Sequence, residues 1–224
     1  MISRDFILDV RHQYQVQWCD SGATMMSSIP KKAMLTCHSE TISQAVQEIE
    51  VGAGWTQDNA LIFTYALKAD LTRLRVPLSR PPRRADRLWQ HTCFEAFVAV
   101  KGKADYHEFN FAPSGEWAAY SLQSYRDGTP LEDDKLVPRI TVRSEADQLD
   151  LDATIRLDRL PSIPPNAWLR LALCAVVEDQ SGKLSYWAVR HPPGKPDFHH
   201  PDCFALDLEP ANLAAVNEPA LEKR

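Results

Sequence analysis

The sequence predicts an all-β protein, an antiparallel β-sandwich of about ten strands in the jelly-roll or immunoglobulin-like manner. Three observations carry this. Short alternating or wholly apolar runs recur along the chain, with turn residues between them at the spacing of a sandwich or barrel. Proline and glycine punctuate the gaps, where they remove ladder donors and set turns. Only short helices are compatible with the pattern, and neither heptads nor a longer repeat is present.

Taken in order, residues 1–33 are polar, with Gln13, Gln15, Gln17 and the Ser-rich SGATMMSSIPKK. They are expected to form a disordered N-terminal extension, or to precede a true start at Met34. The domain itself is expected over 34–210, followed by a tail at 211–224. Val46 to Val51 alternates, and Gly52-Ala53-Gly54-Trp55 is expected to break it. Leu61 to Lys68 (LIFTYALK) is β-branched and aromatic, and Leu71 to Val76 (LTRLRV) alternates again. PLSRPPRRADR is a loop by its prolines.

Cys93 to Val100 is apolar at nearly every position except Glu95. In Asp105 to Phe111, period two sends His107, Phe109 and Phe111 to one face and Tyr106, Glu108 and Asn110 to the other. Ala112 to Gly115 turns the chain into a third strand carrying Trp117 and Tyr120, with Tyr125 beyond. Arg139 to Arg143 is a short strand. Leu149, Leu151, Ala153, Ile155 and Leu157 mark one face of the next. WLRLALCAVV is nearly all apolar, as a strand in the centre of a sandwich would be. Asp179 to Gly182 is a hairpin signal, Leu184 to Arg190 returns, HPPGKPDFHHPD is loop, and Cys203 to Leu208 closes the sheet.

Length and composition set bounds. At 224 residues a single all-β domain is expected, and 44% hydrophobic content supplies a core. A net charge of -5 argues against a general nucleic-acid or membrane surface. Five cysteines without a CxxC pair, and no secretory pattern, point to a reducing cytoplasm. Cys93 and Cys174 lie inside apolar runs and are expected as buried free thiols.

The candidate site gathers around Trp89, Glu95, Glu108, Asn110 and Trp117. A lone acid in an apolar strand costs several kcal/mol if buried unpaired, so Glu95 must meet a partner, a ligand or water. Acids and an amide beside an aromatic plate suit a polyol: carboxylates accept from hydroxyls, and the ring covers a C–H face. The same acids could instead pair with Arg75, Arg126 or Arg170 as internal struts. They also suit glycoside hydrolysis in residue type, although nothing in the sequence fixes their separation. Trp187 is either core or a second aromatic wall. His191, Lys195 and Asp197, in the proline-stiffened loop, are expected at the rim. The spacing in that loop matches no zinc signature, and a calcium site cannot be read from it.

LWQHTCFEAFVAV, YHEFNFAPSGEWAAYSLQSYRDG and SYWAVRHPPGKPDFHHPDCFALDL together resemble the bacterial DOMON-like proteins, relatives of the family 9 carbohydrate-binding modules. The resemblance covers about 35–210 and implies an antiparallel sandwich with a pocket for a sugar or a haem. In the sugar-binding relatives a tryptophan pair sandwiches the sugar. Trp89, Glu95 and Asn110 fall where similar residues would be, with Trp187 as the second plate. Glu108 departs from the pattern, where a basic donor is expected. In the haem-binding relatives methionine with histidine or lysine ligates the iron. No methionine follows Met34, which leaves His91, His107, His191 or Lys195 for that alternative. The expectation is non-catalytic binding of a carbohydrate-like small ligand, without catalytic residues or a required cofactor. A haem-binding redox module, a sugar-processing enzyme using Glu95 and Glu108, and a protein-interaction domain are the alternatives.

Overall fold

The structure, a computed structural model, describes residues 30–132 and 136–211. Among them run fourteen strands: β1 (Lys31–Met34), β2 (Thr36–Cys37), β3 (Val46–Trp55), β4 (Leu61–Ala69), β5 (Arg83–Arg84), β6 (Cys93–Val100), β7 (Tyr106–Phe111), β8 (Glu116–Ser124), β9 (Asp127–Pro130), β10 (Arg139–Ser144), β11 (Gln148–Ile155), β12 (Leu169–Glu178), β13 (Leu184–Ala188) and β14 (Leu206–Leu208). They form two sheets. The smaller has the order β1-β3-β4-β11-β10, and the larger β2-β13-β12-β6-β7-β8-β5, with β14 also on β12 and β9 also on β8. Every pairing is antiparallel except β5 with β8. The expected all-β antiparallel sandwich is therefore the observed fold.

Alternation fills the space between the sheets. Phe63, Tyr65 and Leu67 of β4 and Leu149, Leu151 and Ala153 of β11 meet Phe94, Phe109, Phe111 and Leu171 from the larger sheet. Each fully buried leucine or phenylalanine here contributes about 1.5–3 kcal/mol relative to exposure. The larger sheet is covered on its other face as well. There Phe97, Ala172, Cys174 and Val176 pack under Phe198, Cys203 and Phe204 of the loop after β13. Burial on two faces explains why β6 and β12 read as nearly continuous apolar runs, and why the polar face of β7 is buried too. Cys93 and Cys174 are buried free thiols, as expected.

Three local expectations are corrected. Gly52 to Trp55 do not break β3; the strand runs through them between β1 and β4. A Cβ on Gly52 would lie 2.6 Å from Thr64 Oγ1, so glycine is what lets the neighbouring strand approach. Leu71 to Val76 is not a strand. Asp70 accepts from the Thr72 N–H at 3.2 Å and caps a 3₁₀ turn over Leu71–Arg73. Leu71 and Leu74 are three apart, the period of that turn rather than of a strand. Finally, pairing begins at Lys31, ahead of the expected boundary at Met34. Residues 1–29 and 212–224, with the expectations placed on them, lie outside the described residues. After Leu35 the chain changes sheets: β1 edges the smaller sheet on β3, and β2 edges the larger on β13.

Candidate functional site

The site is built on the outer face of the larger sheet by strand parity. Phe94, Ala96 and Val98 of β6 point into the sandwich, so Glu95 and Phe97 point out. Glu95 lies opposite Asn110 of β7 and opposite Cys174 of β12. Glu108 lies one outward position along β7, opposite Phe97 and Tyr120. Two acids and an amide thus share adjacent rungs of one face. Above them is a cavity of about 640 Å³ whose lining includes Trp89, Glu95, Glu108, Tyr120, Tyr186 and Phe198.

The floor is charged in composition and poor in partners. Glu95 is 3% exposed, and its carboxylate makes no hydrogen bond or ion pair among the described residues. Only its backbone carbonyl is engaged, by the Tyr65 hydroxyl at 2.8 Å. Burial, and then the neighbouring Glu108 charge, push its pKa well above the usual carboxylate value, against a weaker pull from Arg126. Glu108 Oε1 accepts from Asn110 Nδ2 at 2.8 Å, while burial raises this pKa too. Its Oε2 is 3.8 Å from His199 Nε2, beyond hydrogen-bond reach. Asn110 Oδ1 is buried with no partner. Burial and the Arg126 charge bring the His199 pKa down to about 4, so the ring is neutral at pH 7. Its Nδ1 lies 2.9 Å from the Tyr106 hydroxyl, which also accepts from the Arg126 N–H.

The roof is the loop after β13, and Asp197 fastens it. The Asp197 carboxylate accepts from the Tyr125 hydroxyl at 2.7 Å, Arg126 Nη2 at 2.8 Å and the His199 N–H at 3.2 Å. Burial raises its pKa, but the Tyr125 and Arg126 bonds outweigh that and hold it below the usual range. Arg126 presents its side chain from a left-handed turn position, φ 57°. Phe198 and Phe204 complete the attachment by apolar burial.

The sequence-predicted residues divide by this geometry. Glu95 and Glu108 form the floor, and Trp89, 47% exposed in a 3₁₀ turn, stands at the mouth. Exposed Lys195 lines the rim. Asn110 supports Glu108. Asp197 holds the roof and Arg126 rather than lining the cavity.

Trp117 and Trp187 are corrected: each is 6% exposed and packed in the inter-sheet core, on the opposite face from the acids. Trp187 Nε1 is satisfied there by Ser185 Oγ at 3.0 Å. His191 turns away to the Thr36 carbonyl at 2.8 Å. Of the other histidines considered for haem, exposed His91 pairs with Glu178, and His107, on the inward face of β7, pairs with Ser162, so neither lines the cavity. Arg75 is taken by Glu178, and Arg170 donates to the Pro201 and Phe204 carbonyls. No group of three metal-capable acids, histidines or cysteines occurs among the described residues.

Sequence reasoning missed Tyr186, Phe198 and His199 as lining residues. For Tyr186 a signal existed. In SYWAV, Ser185 and Trp187 alternate with Tyr186 and Ala188, so a core tryptophan places the tyrosine on the outer face. Phe198 and His199 gave none, because a loop has no period.

These features define a two-sheet β-sandwich with a roofed, acid-floored cavity on one outer face. No family model matches the chain, and no curated protein matches it. Among solved structures, it is similar to a candidate carbohydrate-binding protein from Bacteroides uniformis: 14% identity over 78% of this chain and 83% of that one, TM-score 0.57. A family 9 carbohydrate-binding module from Caldicellulosiruptor kristjanssonii, solved with cellotriose, gives 14% identity over 74% and 75%, TM-score 0.47. The glucose complex from the same organism gives 13% over 80% and 83%, TM-score 0.48. The first of these likenesses supports the sandwich fold.

Proposed function

We propose that this protein is a non-catalytic binder of a carbohydrate-like small molecule, held in the cavity over the larger sheet. One observation carries the reading: buried, unpartnered acceptor groups lie under an exposed tryptophan ring in a concave site of about 640 Å³. That size is ordinary for a small-ligand pocket, on the order of 300–1,000 Å³. Hydroxyl donors of a sugar would satisfy Glu95 and Glu108. The Trp89 ring would cover a C–H face, with Tyr120 or Tyr186 as the second wall in place of Trp187. No cofactor is needed for this, and the chain fits the DOMON-like relatives of family 9 modules in the order of its sequence blocks.

The test is isothermal calorimetry of the full chain with glucose, cellobiose and charged monosaccharides. Saturable binding is expected, weakened at least about tenfold by Trp89→Ala. Trp89 is half-exposed, so that variant should unfold within about 1–2 kcal/mol of the parent and stay folded. Equal affinity in Trp89→Ala, or no binding by any sugar, would overturn the proposal.

A further inference from the structure

The floor of the cavity is unbalanced in its hydrogen-bonding chemistry. The Glu95 carboxylate is buried, faces the cavity and has no hydrogen-bond partner among the described residues. Glu108 Oε2 is out of bonding reach of His199, and Asn110 Oδ1 beside it is bare. Over ionised acids a sugar hydroxyl brings one donor but also two lone pairs, which must then be accommodated among acceptors. An ammonium group brings three donors, no lone pair and a positive charge. Of the cations nearby, Arg126 lines the cavity and pulls weakly on both acids, but none makes a hydrogen bond to either floor carboxylate. Arg126 is committed to Asp197 at 2.8 Å, and Lys195 sits exposed on the rim with Glu40 on the same rim. His199 is neutral at pH 7.

Resting on the carbohydrate reading above, we infer that the deep end of the cavity is built for a protonated amine, and that the ligand class is an amino sugar whose free ammonium donates to Glu95 and Glu108. A proton balance follows. In the empty site burial favours the protonated acids. An entering ammonium favours their ionised form, so a carboxyl proton leaves for the buffer as the amine binds. Among the other titratable or charged groups around Glu95, only Arg126 offers counter-charge, and its guanidinium is held by Asp197. Cys174 from β12 and Tyr120 and Tyr186 from β8 and β13 are neutral at pH 7, and Arg126, Lys195, His199 and Glu40 are placed as above.

The experiment is calorimetry of the full chain at pH 7 with glucosamine, glucose and N-acetylglucosamine, each in two buffers of different ionisation enthalpy. Glucosamine should bind at least about tenfold more tightly than the other two. Only its heat should depend on the buffer, reporting proton release. In Glu95→Gln the ratio of glucosamine to glucose affinity should fall toward one. If glucose binds as well as glucosamine, with no buffer-dependent heat, the amine inference is wrong while the carbohydrate reading stands. If none of the three binds, the carbohydrate reading fails and takes this inference with it.

Discussion

Replacing Glu95 by glutamine should make the protein more stable, although it alters the floor of the cavity. Glu95 is buried beside a second acid with no partner for its carboxylate. Its folded pKa is raised, so above the unfolded pKa of about 4.3 the folded state binds more proton than the unfolded chain does. An acid shifted this way costs stability as pH rises, starting at the unfolded pKa and levelling off above the folded one. Each pH unit in that window costs about 1.4 kcal/mol, so the penalty at pH 7 cannot exceed about 3.7 kcal/mol. Glutamine is nearly isosteric and carries no charge, and its amide can donate to Glu108. A gain of about 1–3 kcal/mol at pH 7 is expected, which raises Tm by roughly 3–10 °C for a domain of this size. Thermal unfolding followed by circular dichroism at pH 4.5, 7 and 8.5 reads it. The gain should shrink toward zero at pH 4.5. A variant that is destabilised, by the same amount at every pH, would show that Glu95 is an engaged structural carboxylate and that the reasoning is wrong.

Two further variants separate roof and core. Asp197→Ala removes three hydrogen bonds from the roof and should cost about 1–3 kcal/mol. Hydrogen exchange should show faster amides over 191–204, and unchanged protection there would count against Asp197 as the fastener. Because the Asp197 pKa is depressed, its contribution is present above the unfolded value of about 3.9 and is lost as pH falls through the folded one. The roof should therefore loosen only in strong acid, which exchange at low pH can follow. Trp187→Ala should cost about 3–5 kcal/mol in urea unfolding, because it hollows the inter-sheet core. A near-neutral result would return Trp187 to the ligand side.

The fold was legible wherever a strand buried one face and exposed the other. Leu149 to Ile155 alternates cleanly, and all four apolar side chains of that strand reach the core. Legibility failed where three-dimensional neighbours set the rule. Gly52 reads as a breaker along the chain, yet across the sheet it is the residue that lets Thr64 approach. Leu71 to Val76 has enough alternation to mimic a strand, until Asp70 caps its first turn. For the site, Glu95 and Glu108 stood out because an acid in an apolar strand demands an explanation. Trp117 and Trp187 were drawn to them by residue type, although the parity of their own strands faces them the other way. Arg126 was visible only as an ion-pair candidate, since nothing local announces its left-handed backbone.

The sheet-switching segment at 31–37 has a bearing on solubility. Both sheets have an edge at this side, and one short stretch caps the two, β1 on β3 and β2 on β13. Bare strand edges are templates for pairing with another chain. Detaching seven residues would therefore uncover two such templates at once, on one side of the molecule. The same stretch offers the Thr36 carbonyl that His191 binds, so loss of this edge guard would also free one attachment of the roof. Self-association and a slackened ligand site would arise together from a single local event.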